Sequence, residues 1–511
     1  MDTLTRRHVL KQVPLGAAAG AATASAADTP RHRRKAARRT MYFNDARHYY
    51  LYAFEPPLKM ADAWRPIDEL AGTSVNTFIY GIETEGLFTD TKVARRAPSD
   101  TRPFTSALAW RAWYNLQSLI DRGLNPLQVL IDRAHERGLD FIVSMRMGGG
   151  PSDPRYFIGG PGRAARFHDY AHAPVRDVRF RWLEELAAYP VDGVELDFAY
   201  TPFYFKPEAA RANASLMTDY VRKVSTMIRP KGRDRIVGAR VFPTVAMNLA
   251  LGLDVEAWLS QKLVDYVAPL YYGYFRLDPN LPFDSLVKAA HAAKAAVYPV
   301  LQPYYVTDGE HATTPMLRAA AANFWARGAD GLIVAPWFRW PFRDQERSFL
   351  TDIGDPATVA ERDKHYFVGH RLDDAAELGY RHPLPAEVPS ADPGRTQEIP
   401  FYIADDCASP RVARVRVLVR ISNLLTADRI RISLNGVTLD RQPLRKTTHR
   451  YEFLWLEYLL ETVRPKKGEN VLGVALEARP EGMGGGVIVD RVETIIEYSL
   501  PHSFYERPGT L

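Results

Sequence analysis

From residue 48 to about residue 352 the chain alternates short apolar runs with amphipathic stretches. Eight runs have the length and the β-branched or aromatic content of strands: His48 to Phe54, Ser74 to Ile82, Asp140 to Met147, Gly193 to Tyr200, Ile236 to Phe242, Tyr266 to Tyr272, Tyr298 to Tyr305 and Gly331 to Phe338. Most are separated by stretches of helical period: Pro126 to Arg137, Val175 to Ala188, Pro207 to Ile228, Val255 to Lys262, Asp284 to Ala295 and Pro315 to Arg327. This alternation predicts an α/β fold, a closed (β/α)8 TIM barrel over residues 45–352. An open doubly wound sheet is disfavoured, because no glycine-rich phosphate loop follows the first run. Gly148-Gly149-Gly150 lacks the Lys and Ser/Thr of a phosphate loop and is expected to be a flexible turn.

Residues 353–395 lose this periodicity and gain Asp, Pro, Gly and His, which predicts a linker. Beyond it, Val412 to Ile421, Arg429 to Leu439, His449 to Leu460, Asn470 to Ala478 and Gly486 to Tyr498 alternate as half-buried strands do, and Asn435-Gly436 marks a hairpin. An all-β sandwich of jelly-roll type is expected over residues 396–500, with a tail at 501–511. Its apolar residues, Phe453, Leu454 and Leu456 among them, exceed what alternation needs, so it should dock on the barrel.

The fourth run carries the densest chemistry, Asp192-Gly193-Val194-Glu195-Leu196-Asp197-Phe198-Ala199-Tyr200. In a strand Val194, Leu196 and Phe198 face one way while Glu195 and Asp197 face the other. Two acids then share the barrel interior, where an unpaired carboxylate is costly, so each must be paired or stand at the wet end. Chemistry in such barrels sits at the carboxyl ends of the strands. The residues closing the runs are Glu55, then Glu83 and Glu85, Arg146, then Glu195, Asp197 and Tyr200, and Arg240. Runs six to eight close with Tyr271, Tyr272 and Tyr274, with Gln302, Tyr304 and Tyr305 ahead of Asp308 and Glu310, and with Trp337 and Trp340. Aromatic faces suit the C–H faces of sugar rings, and acids and arginines suit their hydroxyls or acidic substituents.

Several of these segments, the Asp-Gly-x-Glu-Leu-Asp-Phe strand with "YYLYAFEPP", "DTKVA", "SMRM" and "LDVEAWLSQKLVDYVAPLYY", resemble the glycoside hydrolase-like TIM-barrel proteins grouped around the family-10-like domain. The resemblance covers roughly residues 45–350 and implies hydrolysis of glycosidic bonds. It has departures: Gly148-Gly149 stand where an amide or acid often follows the third-strand Arg-Met, and Tyr200 stands where an Arg often does. Family 18 chitinases carry a further acid at the position of Ala199, so their substrate-assisted mechanism is not expected. In barrels that cleave α-glycosides a basic residue often precedes the fourth-strand nucleophile by two, and here Glu195 replaces it. Asp197 is the expected nucleophile or base and Glu195 its tuning neighbour. The general acid is sought among Glu83, Glu85, Glu55, Asp308 and Glu310, while Arg146, Tyr200, Arg240, Tyr271, Tyr272, Gln302, Tyr304, Tyr305 and Trp337 are expected to bind the sugar. A non-catalytic carbohydrate-binding barrel and a polysaccharide lyase are the alternatives. Phrases such as "SLNGVTL" in the second domain resemble accessory sandwiches of glycoside hydrolases, as buttress or sugar-binding module.

Charge sharpens the choice of partner. The chain has a net charge of +6, and residues 1–39 hold nine Lys/Arg against Asp2 and Asp28, a net of +7 that leaves −1 for the remainder. No nucleic-acid partner is expected of a nearly neutral body. Arg6-Arg7 precedes a weakly apolar stretch ending in Ala24-Ser25-Ala26, the pattern of a twin-arginine signal over residues 1–27, followed by a basic linker over 28–44. The expected destination is the periplasm or exterior, with no membrane span. Cys407 is the sole cysteine, so no internal disulfide forms. No cofactor or metal is expected, and His135 is predicted to be a surface residue. Replacing Arg6 and Arg7 by Lys should abolish export and signal processing; a double variant processed as fast as the parent would refute the leader assignment.

Overall fold

The computed structural model describes residues 38–44, 49–82, 86–200, 202–231, 235–271, 275–305, 310–335, 344–447 and 452–499, within one compact unit that begins at Arg38. The leader, Arg6-Arg7 and the first basic cluster included, lies outside these residues.

Nine parallel strands make one sheet in the order β7-β6-β5-β4-β3-β2-β1-β9-β8. They are β1 Arg39–Asn44, β2 Thr77–Ile82, β3 Asp140–Arg146, β4 Gly193–Asp197, β5 Ile236–Val241, β6 Tyr266–Pro269, β7 Ala296–Val297, β8 Val300–Leu301 and β9 Gly331–Val334. The outermost strands, β7 and β8, are two pieces of one strand interrupted at Tyr298-Pro299. Backbone bonds continue across the break, from Tyr298 N to Val267 O (2.9 Å) and from Ile333 N to Pro299 O (3.1 Å). The two ends of the sheet therefore meet, and the sheet closes as an eight-stranded (β/α)8 barrel.

Two apolar layers hold it. Met41, Phe43, Ile79, Ile142, Tyr266, Ala268, Tyr298, Val300 and Ile333 cluster inside the barrel. The opposite faces of the same strands, Tyr42, Phe78, Val143, Val194, Leu196 and Val267 among them, pack against the helices. Val194, Leu196 and Phe198 thus lie in the outer layer, as strand alternation predicts, and leave the inner face to the acids.

Three predicted assignments are corrected here. The first strand is Arg39–Asn44, and most of the run predicted as a strand at 48–54 is the helix Tyr49–Ala53. That segment is fixed from outside by Asn115 Nδ2, which donates to Leu51 O (2.9 Å) and Phe54 O (2.7 Å) from the helix Ala107–Ile120. The true strand lies within the basic linker expected over 28–44: Arg39 closes the basic run but donates to Thr77 Oγ1 (2.9 Å) and Asp140 Oδ2 (2.7 Å) at the base of β2 and β3. The stretch 353–395 is not a bare linker. It holds Pro356–Ala360 and the strands β10 Lys364–Phe367 and β11 Ala386–Val388, both paired antiparallel to β19 Val487–Tyr498. His135 is no simple surface residue either, since its Nε2 lies 2.8 Å from Asp192 Oδ2 under the barrel.

The C-terminal part is a sandwich of two antiparallel sheets. One has the order β10-β19-β13-β17-β16, with β11 also paired to β19, and the other β12-β18-β14-β15. The remaining strands are β12 Thr396–Ile403, β13 Val412–Ser422, β14 Arg429–Leu434, β15 Val437–Thr438, β16 Leu444–Thr447, β17 Phe453–Leu459 and β18 Gly468–Ala478. The chain shuttles between the sheets in jelly-roll fashion, and Leu454 and Leu456 fill the core between them.

The sandwich docks on the barrel through apolar contacts, Phe367 on Tyr305 and Ala319 in the sandwich core, and through two asparagines. Asn323, fully buried on the helix Thr314–Ala326, donates to Pro279 O and Tyr402 O (both 3.0 Å) and accepts from Ala404 N (3.0 Å). Asn280 bonds Phe367 O (3.1 Å) and Tyr402 N (2.9 Å). Replacing Asn323 by Ala strands one amide and two carbonyls, so a loss of about 2–3 kcal/mol is expected. Chemical denaturation should show it, and a variant as stable as the parent would show that the contact contributes nothing.

Candidate active site

Because β3, β4, β5 and β6 are parallel and in register, their inward residues form layers. Ser144, Glu195, Gly238 and Tyr266 lie side by side in one. Arg146, Asp197, Arg240 and Ala268 lie side by side in the next, towards the carboxyl ends.

The deeper layer is built around Glu195, whose exposure is zero. Ser144 Oγ donates to its Oε1 (2.6 Å) and Tyr266 OH to its Oε2 (3.1 Å). Arg240 reaches down from the upper layer to place Nη2 2.8 Å from Oε1, a charge contact outside hydrogen-bond alignment. The other side of that guanidinium rests on the Phe43 ring, with Cζ 4.1 Å from its centroid. Gly238 makes room: a Cβ there would fall 2.0 Å from Tyr266 Cζ, so only glycine lets the phenol cross β5 to Glu195. Ser144, Gly238, Tyr266 and Phe43 were not singled out from sequence. Their signal was parity, since each sits inward by the same alternation that places Glu195.

Asp197 closes β4 and is 3% exposed. Its Oδ1 accepts from the backbone amides of Ala199 and Tyr200 (both 3.1 Å), which fixes the carboxylate as the chain turns away from the strand. No other hydrogen bond reaches it among the described residues, so Oδ2 is the available oxygen. Burial pushes its pKa above the ordinary carboxylate range against the pull of Arg240; the charge of Glu195 adds to the rise and Arg146 opposes it. Arg146, itself buried, lies flat on the Tyr200 ring with Cζ 3.5 Å from the centroid.

The other sequence candidates are dispersed. Glu83, Glu85, Tyr272, Tyr274, Asp308, Trp337 and Trp340 lie outside the described residues. Glu55 does not close a strand. It follows the helix Tyr49–Ala53, is 69% exposed and pairs with Arg111 at 2.5 Å. Tyr305 is committed to the sandwich, donating to Glu493, with Arg491 Cζ 5.0 Å from its ring centroid. Glu310 turns to the same Arg491, at 3.7 Å. Gln302 ties loops together, its Nε2 donating to Tyr271 O (2.5 Å) and Arg276 O (3.1 Å). Tyr271 is buried, and the half-buried Tyr304 packs edge-on to His311 at 5.0 Å. The structure therefore brings together Arg146, Glu195, Asp197, Tyr200 and Arg240. Among the described residues no group of three or more His, Cys, Asp or Glu could hold a metal ion, and no helix is long and apolar enough to cross a membrane.

No protein-family model matches the chain, and no curated protein does. Among solved structures it is similar to a cycloisomaltooligosaccharide glucanotransferase from Paenibacillus sp. (11% identity, 89% of this chain and 57% of that one, TM-score 0.32). It is also similar to α-L-fucosidase isoenzyme 1 from Paenibacillus thiaminolyticus (12%, 86% and 97%, TM-score 0.34) and to a β-galactosidase from Marinomonas ef1 (11%, 63% and 59%, TM-score 0.40). The chain thus spans little more than half the length of the first and third. Likenesses this distant decide nothing about chemistry, which is read from the site's own geometry.

The raised Asp197 pKa has a consequence for stability. The folded state holds this proton to higher pH than the unfolded chain does, so ionising Asp197 costs stability as pH rises from about 4, the ordinary carboxylate value, through its native pKa. Asp197→Asn should therefore melt above the parent at pH 7, with the difference vanishing below about pH 4. A variant that melts lower at pH 7 would mean that the two arginines, not burial, dominate.

Proposed function

We propose that this chain is a glycoside hydrolase in which Asp197 is the carboxylate acting at the anomeric carbon, as nucleophile or as base. One observation carries the reading: at the carboxyl end of a barrel strand, Asp197 is held by two backbone amides through Oδ1, keeps Oδ2 available, and stands between Arg146 and Arg240. A carboxylate so fixed is ready to meet the positive charge that develops as a glycosidic bond breaks. Glu195 serves here as the counter-charge that orients Arg240 and takes no part in proton transfer to the sugar, because every direction around it is filled. With Glu55 and Glu310 engaged by Arg111 and Arg491, the general acid is sought at Glu83 or Glu85 after β2, or at Asp308 after the seventh strand. The carboxyl separation decides the stereochemistry, about 5–5.5 Å for retention and about 6.5–9.5 Å for inversion. Export by the twin-arginine route belongs to the same proposal and fits a polymer substrate met outside the cell.

A second reading, a carbohydrate-binding barrel without turnover, is favoured by one observation: Glu55 and Glu310 are engaged away from Asp197, with Arg111 and Arg491.

Release of reducing ends across a panel of polysaccharides separates the two. Asp197→Asn should lower kcat by at least ~10³-fold while KM stays close to the parent's, the signature of an interaction made in the transition state. Glu195→Gln should cost less, through a disturbed Arg240. Near-normal turnover by Asp197→Asn would remove the fourth strand from the chemistry, and a parent that binds glycans without cleaving any would leave the second reading.

A further inference from the structure

The loop after β2 and the helix Ala107–Ile120 carry a surface that the catalytic reading does not use. Phe104, Trp110, Trp113 and Tyr114 form one aromatic cluster, with Trp110–Tyr114 and Trp113–Tyr114 centroids both 4.8 Å apart. Trp110 is 40% exposed and its neighbour Leu108 55%, although large apolar side chains are costly to leave in water. Arg102 lays its guanidinium over this cluster, Cζ 4.6 Å from the Trp113 centroid, and Arg96 follows at 6.0 Å.

These cations are uncompensated. Residues 90–111 hold Lys92, Arg95, Arg96, Arg102 and Arg111 against Asp90 and Asp100, on a body whose net charge is near zero. Arg111 has Glu55, whereas Arg96 and Arg102 make no ion pair among the described residues. Parallel strands all end on one face of the barrel, so the segment after β2 leaves the barrel at the same end as Arg146, Asp197 and Arg240, and Thr91 Oγ1 and Lys92 N then tie it to Glu185 on the helix Ala173–Leu186 (2.6 and 2.8 Å). It stands across the ring from the β6 loop, against which the sandwich packs.

We infer that this face is a binding platform for an anionic polysaccharide, a chain of uronate or sulfated hexose units led towards the barrel mouth. An exposed indole takes the C–H face of a pyranose, and an unpaired guanidinium beside it takes a carboxylate or sulfate. Nucleic acid fits less well, because phosphates on every nucleotide call for a long basic track and the platform offers only a few free cations. The inference rests on the glycosidase reading for the class of polymer alone; the platform itself stands on its aromatic and charge pattern.

The test is titration calorimetry of the full chain, in the Asp197→Asn background so that no probe is consumed. Hexagalacturonate, a sulfated galactan hexamer, cellohexaose and a single-stranded DNA hexamer are the probes. At least one anionic glycan should bind about tenfold tighter than cellohexaose, more weakly in high salt, and Trp110→Ala and Arg102→Gln should each weaken it about tenfold. Arg102→Lys should restore part of the loss, and unchanged circular dichroism controls for folding. The inference is overturned if cellohexaose binds as well as the charged hexamers, if neither variant changes affinity, if neither anionic glycan binds, or if DNA binds tighter than both. Failure of the catalytic reading shows separately, as a parent chain that releases no reducing ends from a polymer it binds.

Discussion

A carboxylate with no exposure to water, Glu195, sits at the centre of the barrel, and the surrounding residues are arranged to make that tolerable. Desolvating one such ion costs several kcal/mol, recovered only if every oxygen is met with good geometry. The barrel meets it with a hydroxyl from β3, a phenol from β6 and a guanidinium from β5. Each donor imposes its own demand. The phenol requires a residue without a side chain on the intervening strand, hence Gly238, and the guanidinium requires an apolar face to lie on, hence Phe43. Five of the eight barrel strands are therefore constrained by one buried charge.

That constraint propagates upward by one layer. Arg240 belongs by register to the layer of Asp197 but is drawn down towards Glu195, so it acts on both acids at once. Asp197 consequently sits between two guanidinium groups without being hydrogen-bonded to either among the described contacts. Its fixed partners are backbone amides, which hold position without consuming both oxygens. The sandwich closes the opposite flank: Tyr305, which would otherwise project from the seventh strand, is held by Glu493 and covered by Phe367 at 4.8 Å. The end of this barrel strand is thus where the sandwich meets the barrel.

How much of this was legible in the sequence follows from the range of each interaction. Period-2 alternation in Val194 to Phe198 is local, so it placed Glu195 and Asp197 on the inner face correctly. The positions of seven strands were legible for the same reason. The first was not, because the strand Arg39–Asn44 starts inside a basic run, and composition masked a short apolar segment that pairs with distant strands, Met41 opposite Thr77 and Arg39 opposite Gly331. Tyr49–Ala53 has strand-like residues but becomes helical because a distant amide, Asn115, ties its carbonyls. The sandwich edges β10 and β11 were hidden likewise, since they are strands only by pairing with β19, more than a hundred residues on. The partners that engage Glu55 and Tyr305, namely Arg111 and Glu493, are likewise invisible to any local pattern.

The charge count of the paired layers bears on what the site can do. Arg146, Arg240, Glu195 and ionised Asp197 sum to zero, so these four described groups balance only while Asp197 keeps its charge. Burial opposes that ionisation, and the arginines are what make it attainable. With Asp197 ionised, a cation developing at a sugar carbon meets a negative oxygen in a locally balanced site, which lowers its energy. With Asp197 protonated, the same four groups present a net positive charge that would repel that cation and attract an anionic substituent instead. On the glycosidase reading, then, the proton on Asp197 divides a state suited to holding a charged substrate from one suited to cleaving it. Burial sets that division first, Arg240 works against it, and the charge of Glu195 adds to it.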